Sequence, residues 1–502
     1  MTDELFEQRL RRDLRRLADE LVDGPGHGRP PGRVGAVRNR GPGRRIPWRR
    51  TRRLLSPAVG RTLVVIWLLV GVCLVGSGVV AGQVLAHRRG EAPLRHAQQV
   101  AAMSSVPGPY AYFSHGSLWT AQPGETPKAV VRAANPGSAP QWSADGNWVA
   151  YLGAGDHLHL VHPDGSGAHL ALGATVAAMT WSPVTDLLAV VPSSGPDQGD
   201  LLLLTVPPSP SDAPGAAAGT GQASSPTMVA SSVSSFVWSA DGTQIAYSVA
   251  GTGAQPDRIV VYDVVTGTSR PLAYAAPAGD GIELAGWWPD GAGVLFWVDP
   301  GRSLAAEATG LVLESLALRA SSAAVLGRSF VYLPWLAWSP SGDRLLMVEM
   351  TGAFPWRGSQ LALCEPTSGT CHRLPQPPGT VSIDPTWSPS GHSIAFVRAP
   401  VLRASSAGSG LDAWYTQRRL WVSAPTGADA HQVPGALAGA AEPQFGASGK
   451  IIDYVTGQAI DSVASSGGVS TPIASGLTGA LYTAGPDGYG KLPWGGTAAW
   501  GP

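Results

Sequence analysis

Three histidines crowd one short segment, DHLHLVHPDG, with His157 and His159 two residues apart and His162 at the turn that follows. Residues i and i+2 of a strand share a face, so the first two imidazoles could hold a divalent metal together. No carboxylate at fixed spacing completes the set, and histidine is an ordinary resident of half-exposed strands, so no metal and no cofactor is expected. A G-x-S-x-G elbow, a P-loop and an H-E-x-x-H helix are all absent from the chain. Serine and aspartate do recur together after tryptophan, but a set repeated along the whole chain points to turn making rather than to a catalytic pair. The expectation is therefore a protein that is not an enzyme, with catalytic residues none. An active site in a central channel is the residual enzymatic reading, and no residue can be named for it.

Two other groups could act. Cys364 and Cys371 flank a Pro-Thr-Ser-Gly turn signal in LALCEPTSGTCHRL. Opposed positions on a hairpin lie about 4.5–5.5 Å apart at Cα, within disulfide range. A disulfide is expected, because no second half-site exists to make C-x6-C a metal site. Cys73, the third cysteine, sits in an apolar run. Trp414 and Tyr415 stand beside Arg418 and Arg419 in a low-complexity insertion, 400–417, where they could contact a partner. Aromatics in such a loop more commonly fold back on their own scaffold. A second insertion, 207–232, reads as a solvated loop.

The elements that would position these residues are legible in a repeat. Clear copies are WSADGNWVAYL from Trp142, WSADGTQIAYS from Trp238, WSPSGDRLLMV from Trp338 and WSPSGHSIAFV from Trp387. Degenerate copies are WSPVTDLLAVV from Trp181, WWPDGAGVLFW from Trp287 and FGASGKIIDYV from Phe445. In each, an aromatic ends one short strand, a tetrad that contains Gly in all but the Trp181 copy makes a tight turn, and an apolar run makes the next strand. Third strands and further turns follow, as in LHLVHPDGSG and RIVVYDVVTGTS. Four strands per repeat is the pattern of a propeller blade. Residues 110–133 supply three strands without an anchor, and pairing a terminal strand with them closes the ring. The fold class is all-β, a β-propeller of eight blades, with seven as the alternative if the Trp181 copy is not a full blade.

These repeats closely resemble the WSPDG-type repeats of TolB-like propellers, a WD40-like family of bacterial periplasmic and membrane-anchored proteins, over about residues 108–490. The resemblance implies the fold. It implies little about function, because such propellers serve as scaffolds, sensors and enzyme accessory domains alike. Propellers also precede the catalytic domain of some serine peptidases, but too few residues follow the last repeat for an α/β hydrolase.

Charge divides the chain. The net charge is zero, yet residues 1–100 carry 19 Arg against 8 acidic residues, while the remainder carries 16 Lys or Arg against 27 acidic residues. Between them, from Thr62 to His87, no residue is charged. A run of about 25 apolar residues is long enough to span a bilayer with some tilt. Sixty polar residues precede it, which a cleaved signal peptide would not have. Ten arginines between Arg33 and Arg61 outnumber Arg88, Arg89 and Arg95 on the far side, so the N-terminus is expected in the cytoplasm. Nucleic acid is not an expected partner of the basic run, which lacks aromatic interleaving beyond Trp48.

The expected organisation is a cytoplasmic amphipathic helix (1–24) and an Arg/Gly/Pro-rich linker (25–61). A transmembrane helix (62–87), a stalk (88–107), the extracytoplasmic propeller (108–492) and a tail (493–502) follow. Phe6, Leu10, Leu14, Leu17 and Leu21 stripe the first helix at steps of four and three. The leading functional expectation is a cell-membrane-tethered binding, scaffolding or sensing propeller for a protein or cell-envelope ligand. The alternative is a transmembrane regulator of anti-sigma type, signalling through residues 5–21 to a cytoplasmic protein, although that tail lacks a zinc-binding His/Cys set.

Overall fold

A computed structural model describes residues 109–475, without 115, 122–124, 133–139, 194–198, 207–224, 252–254, 303–309, 353, 403–410 and 458, together with 498–500. All fall within the second of the two units into which the chain divides, Ala92–Pro502. The amphipathic helix, the linker, the 62–87 span and the stalk lie outside the described residues. Among those described, no helix is long and apolar enough to cross a membrane.

The described chain is nearly all β, and every strand pairing is antiparallel within a succession of four-strand ladders. Four sheets have the same order as the chain, each opening on an anchor strand: Gly281–Trp287, Leu336–Trp338, Thr380–Trp387 and Ala440–Phe445. A ten-stranded sheet contains three more ladders, joined because two long strands each serve twice. His169–Trp181 pairs with His157–Val161 through its first half and with Leu187–Pro192 through its second. Thr227–Trp238 likewise pairs first with Gly199–Thr205 and then with Gln244–Val249. Residues 227–232, expected in a solvated loop, are thus the first half of a strand. The remaining sheet joins both ends of the described chain: Tyr110–Ser114, Ser117–Ala121 and Lys128–Arg132, with Ala498–Trp500 paired to Tyr110–Tyr112.

The apolar run after each turn forms a strand buried on both faces. Val149–Leu152, Gly293–Asp299 and Ile394–Pro400 show nearly unbroken burial, because neighbouring sheets cover each side. Fourth strands, such as Thr370–Arg373 and His431–Gln432, are mostly exposed. Apolar clusters accordingly lie between sheets. Ala246 and Ile259 meet Trp287 and Phe296, while Leu295 and Trp297 meet Leu345 and Met347. The last sheet packs on the first, with Ile460 and Ile473 against Tyr110 and Tyr112, and the Tyr110 hydroxyl donates to the Ile473 carbonyl at 3.4 Å. Face-to-face packing of successive four-stranded sheets, inner strands adjacent and outer strands exposed, is propeller architecture.

In four of the turns, the serine after the anchor is buried and its hydroxyl accepts the N–H of the residue five positions further on. Trp148, Gln244, Arg344 and Ser393 donate to Ser143, Ser239, Ser339 and Ser388 at 2.9–3.1 Å. Asp145 and Asp241 accept the hydroxyls of Ser143 and Ser239, and Gly146 and Gly242 close the turns at φ of 73° and 65°. These serines and aspartates make turns, and the backbone groups they satisfy explain why the set recurs.

Candidate functional site

The anchors act between sheets. Trp181, Trp238, Trp287 and Trp387 donate their indole N–H groups to the carbonyls of Gln141, Thr180, Val237 and Ala337, at 3.2, 3.1, 3.1 and 2.9 Å. Each acceptor is the residue immediately before the preceding anchor, namely Trp142, Trp181, Trp238 and Trp338. One indole per repeat therefore ties each of these sheets to the one before it. Phe445 is buried at the equivalent place but has no N–H to give.

Just before the anchor, most of these strands carry a bulge. Pairing shifts register between Ile383 and Thr386, and again between Ala441 and Gln444. Asp384 and Glu442, each three residues before its anchor, adopt φ of 51° and 45° there. Left-handed backbone is costly for a side-chain-bearing residue and collects where a side chain is being aimed. Both carboxyls enter one buried cluster. Asp384 Oδ1 accepts the Trp335 indole N–H at 2.6 Å, and its Oδ2 accepts the Glu442 backbone N–H at 3.2 Å. The Tyr332 hydroxyl donates to Glu442 Oε1 at 2.5 Å. Arg418 lies over the Tyr415 ring, 4.8 Å from its centroid, and donates to the Gly439 carbonyl at 3.1 Å.

Burial governs the protonation of this cluster. It raises the Glu442 carboxyl to about 8, helped by the Asp384 charge and opposed by the Tyr332 hydrogen bond and Arg418. Glu442 is partly exposed as a residue, but the carboxyl itself is enclosed. The Tyr332 hydroxyl is driven up by burial and then by the Glu442 and Asp384 charges, and burial lowers the Arg418 guanidinium against the pull of Asp384. A carboxylic acid that stays protonated near neutral pH, beside a second carboxyl, is able to donate a proton or a hydrogen bond.

A second polar site lies between the Trp338 and Trp387 sheets. Arg398, on Ile394–Pro400, is 6% exposed and lies 5.0 Å from the Phe396 ring centroid and 4.5 Å from that of Trp421. Its Nε donates to Ser382 Oγ at 3.2 Å. A pocket with room for about one water opens on it, lined also by Gln376, Ser423 and Leu361.

The other expected residues are dispersed. Cys364 and Cys371 face one another across a hairpin with Cα atoms 4.0 Å apart and are joined as a disulfide. Trp414 is turned inward: it lies in the short helix Leu411–Tyr415, is 2% exposed, and donates to the Pro400 carbonyl at 2.7 Å. An indole buried in the scaffold core presents no surface to a partner, which corrects that expectation; Tyr415 packs edge-on against it and beneath Arg418. His159 stacks on Tyr151 and His162 on Trp148, with His162 Nδ1 2.8 Å from the Asn147 carbonyl. Among the described residues, no group of three or more His, Cys, Asp or Glu is placed to hold a metal.

Tyr332, Asp384, Arg398 and Glu442 escaped the sequence reading because none belongs to a motif, and Arg418 was read only as a neighbour of a surface contact. One signal existed. Aligning the repeats on their anchors puts Asp384, Glu442, Trp335 and Ser235 at the same position, where other copies have alanine or leucine.

No protein-family model matches the chain, and no curated protein matches it in sequence. Among solved structures, it is similar to dipeptidyl peptidase 4 of Porphyromonas gingivalis, with 10% identity and a TM-score of 0.49 over 76% of this chain. The match spans 61% of that peptidase, less than two thirds of its length. It is also similar to an oligogalacturonate lyase in complex with manganese, with 12% identity and a TM-score of 0.41 over 70% of this chain and 95% of that one. At these levels neither likeness carries an activity across. Both are nevertheless enzymes, which overturns the expectation that this chain is not one: a propeller without a recognisable catalytic motif is no ground for denying catalysis.

Proposed function

We propose that the chain is a membrane-tethered, extracytoplasmic propeller of the TolB-like kind that binds a protein or cell-envelope ligand. The observation that carries this reading is the rigid succession of four-stranded sheets whose last member packs on its first through Ile460, Ile473, Tyr110 and Tyr112. Three ladders in the ten-stranded sheet and five separate four-stranded sheets support a ring of eight blades, with the Trp181 copy a full blade. The tether rests on the uncharged run from Thr62 to His87 and the arginine excess before it. A Cys364–Cys371 disulfide suits an oxidising exterior. The binding reading makes no statement against catalysis.

Protease added to intact cells tests the topology. Digestion of the propeller with protection of residues 1–61 is the expected result, and the reverse pattern defeats it. Crosslinking on whole cells, followed by capture through a C-terminal tag, should then recover an envelope component.

A second reading is favoured by the apolar stripe of Phe6, Leu10, Leu14, Leu17 and Leu21. Here the propeller senses outside and residues 5–21 dock on a cytoplasmic protein, as in a transmembrane regulator of anti-sigma type. Deleting residues 1–24 should then abolish the regulatory output while leaving the propeller folded. Intact output after that deletion rules this reading out.

A further inference from the structure

The connection between the Trp287 and Trp338 sheets, residues 330–335, does not stay between them. Strand pairing stops at Ser329 on one side and resumes at Leu336 on the other. The N–H groups of Tyr332 and Trp335 bond within the segment, to the Phe330 and Tyr332 carbonyls at 2.8 and 3.0 Å. Side chains therefore fasten it to the neighbouring sheets. Phe330 and Trp335 are buried, while Val331 and Leu333 are exposed. The Trp335 indole reaches Asp384 on the Trp387 sheet. Tyr332 reaches past that sheet to Glu442 on the Phe445 sheet, 110 residues away along the chain. Residues 330–335 thus form a strap that spans three successive sheets, and these two polar attachments both end on carboxyls.

Charge decides how firmly those attachments hold. The charged and titratable groups facing the Glu442 carboxyl are Tyr332 from the strap, Asp384 from Thr380–Trp387 and Arg418 from the turn before Arg419–Ser423. Asp384 brings one negative charge, and Arg418, which keeps its proton throughout the physiological range, brings one positive charge. With Glu442 neutral, the enclosed group is balanced. Ionising Glu442 adds a second anion with no second cation among the groups facing it. A buried charge without a counter-charge is costly. Burial and then the Asp384 charge accordingly lift the Glu442 carboxyl to about 8.

We infer that residues 330–335 are a proton-gated strap: it lies closed over the two carboxyls while Glu442 holds its proton, and it lifts when that proton leaves. The inference goes beyond the tethered binding reading, since it depends neither on topology nor on a ligand. Its direction follows from linkage. In the lifted strap Glu442 meets water and titrates at the ordinary 4.5, whereas in the closed strap it keeps its proton up to about 8. Between those values closing takes up a proton, so the lifted fraction grows about tenfold per pH unit and levels off above that range. Acid holds the strap shut. Raising the pH exposes the Trp335 indole and both carboxyls together, beside Val331 and Leu333.

Hydrogen exchange on the full-length protein in detergent micelles, from pH 5.5 to 8.5 and corrected for the intrinsic pH dependence of exchange, tests this at the Tyr332 and Trp335 amides. Their protection is expected to fall about tenfold per pH unit up to about pH 8 and then flatten. Low urea concentrations should leave that local exchange unchanged, whereas amides of the buried strand Gly293–Asp299 should exchange through urea-sensitive global unfolding. Glu442→Gln should remove the pH dependence and keep the strap closed at pH 8.5. Tyr332→Phe, which takes the hydroxyl from Glu442 but leaves the carboxyl, should raise strap exchange about tenfold at every pH. Where Glu442→Gln does not fold, Tyr332→Phe and the urea dependence of the unaltered protein carry the test. Four results each overturn the inference. They are strap protection that ignores pH, a Glu442→Gln profile like that of the unaltered protein, unchanged exchange in Tyr332→Phe, and strap amides that open only with urea-sensitive global unfolding.

Discussion

An indole N–H is the group that separates tryptophan from phenylalanine at the anchors, and the structure gives it a partner in the preceding sheet. Trp387→Phe keeps most of the buried ring but leaves the Ala337 carbonyl without its donor. It is expected to cost about 1–2 kcal/mol in urea unfolding, whereas Trp387→Ala should cost about 3–5 kcal/mol by opening a cavity. Equal costs for the two variants would mean that packing alone holds the sheets. Protonation acts at the same scale. Glu442 titrates near 8 when folded and at the ordinary value of 4.5 when unfolded, so between those values the folded state holds the extra proton. Stability should therefore fall as pH rises through that window and level off above it. Glu442→Gln, which mimics the neutral acid, should flatten the dependence of the unfolding midpoint between pH 5 and 8 and raise the midpoint at pH 8. An unchanged profile would show that Glu442 is not the titrating group.

Among the elements, the hairpin of Ser359–Glu365 and Thr370–Arg373 is the one covalently closed. Its fourth strand is mostly exposed, so packing alone holds it weakly. Loop closure over so short a span contributes about 2–3 kcal/mol by the chain-entropy account. Reduction, or Cys364→Ser with Cys371→Ser, should lower the thermal midpoint by several degrees and speed hydrogen exchange in that hairpin before any other sheet. Uniform loss of protection across the protein would place the bond's effect in global unfolding instead.

At the scale of the whole molecule, the terminal sheet matters most, because it draws strands from both ends of the described chain. Ala498–Trp500 pairs with Tyr110–Tyr112, adjoining the aromatic cluster that joins the last sheet to the first. Deleting residues 493–502 removes that ladder and leaves Tyr110–Ser114 as a bare edge. At about 0.5–1.5 kcal/mol for each lost hydrogen bond, the variant should unfold measurably earlier, with Tyr110–Tyr112 amides exchanging first. The exposed edge should also promote association, which sedimentation velocity would detect. Unchanged stability would mean that sheet-to-sheet packing, rather than strand pairing, joins the ends.

The sequence by itself determined the β architecture. Anchor, turn and apolar run repeat because each blade solves the same problem, a tight reversal followed by a strand covered on both faces, and that solution is local enough to be written in eleven residues. The facing cysteines were legible for the same reason, since a hairpin puts its two flanks in register. What the tertiary structure decided is where non-local chemistry gathers. Tyr332, Asp384 with Arg418, and Glu442 come from three successive repeats and meet only because adjacent sheets pack and their bulges turn two carboxyls inward. Trp414 looked like a surface aromatic until the fold gave it a core to enter. Arg398 and Gln376 face one cavity across two sheets, a pairing that no spacing along the chain encodes, because the distance between them is set by how the blades pack.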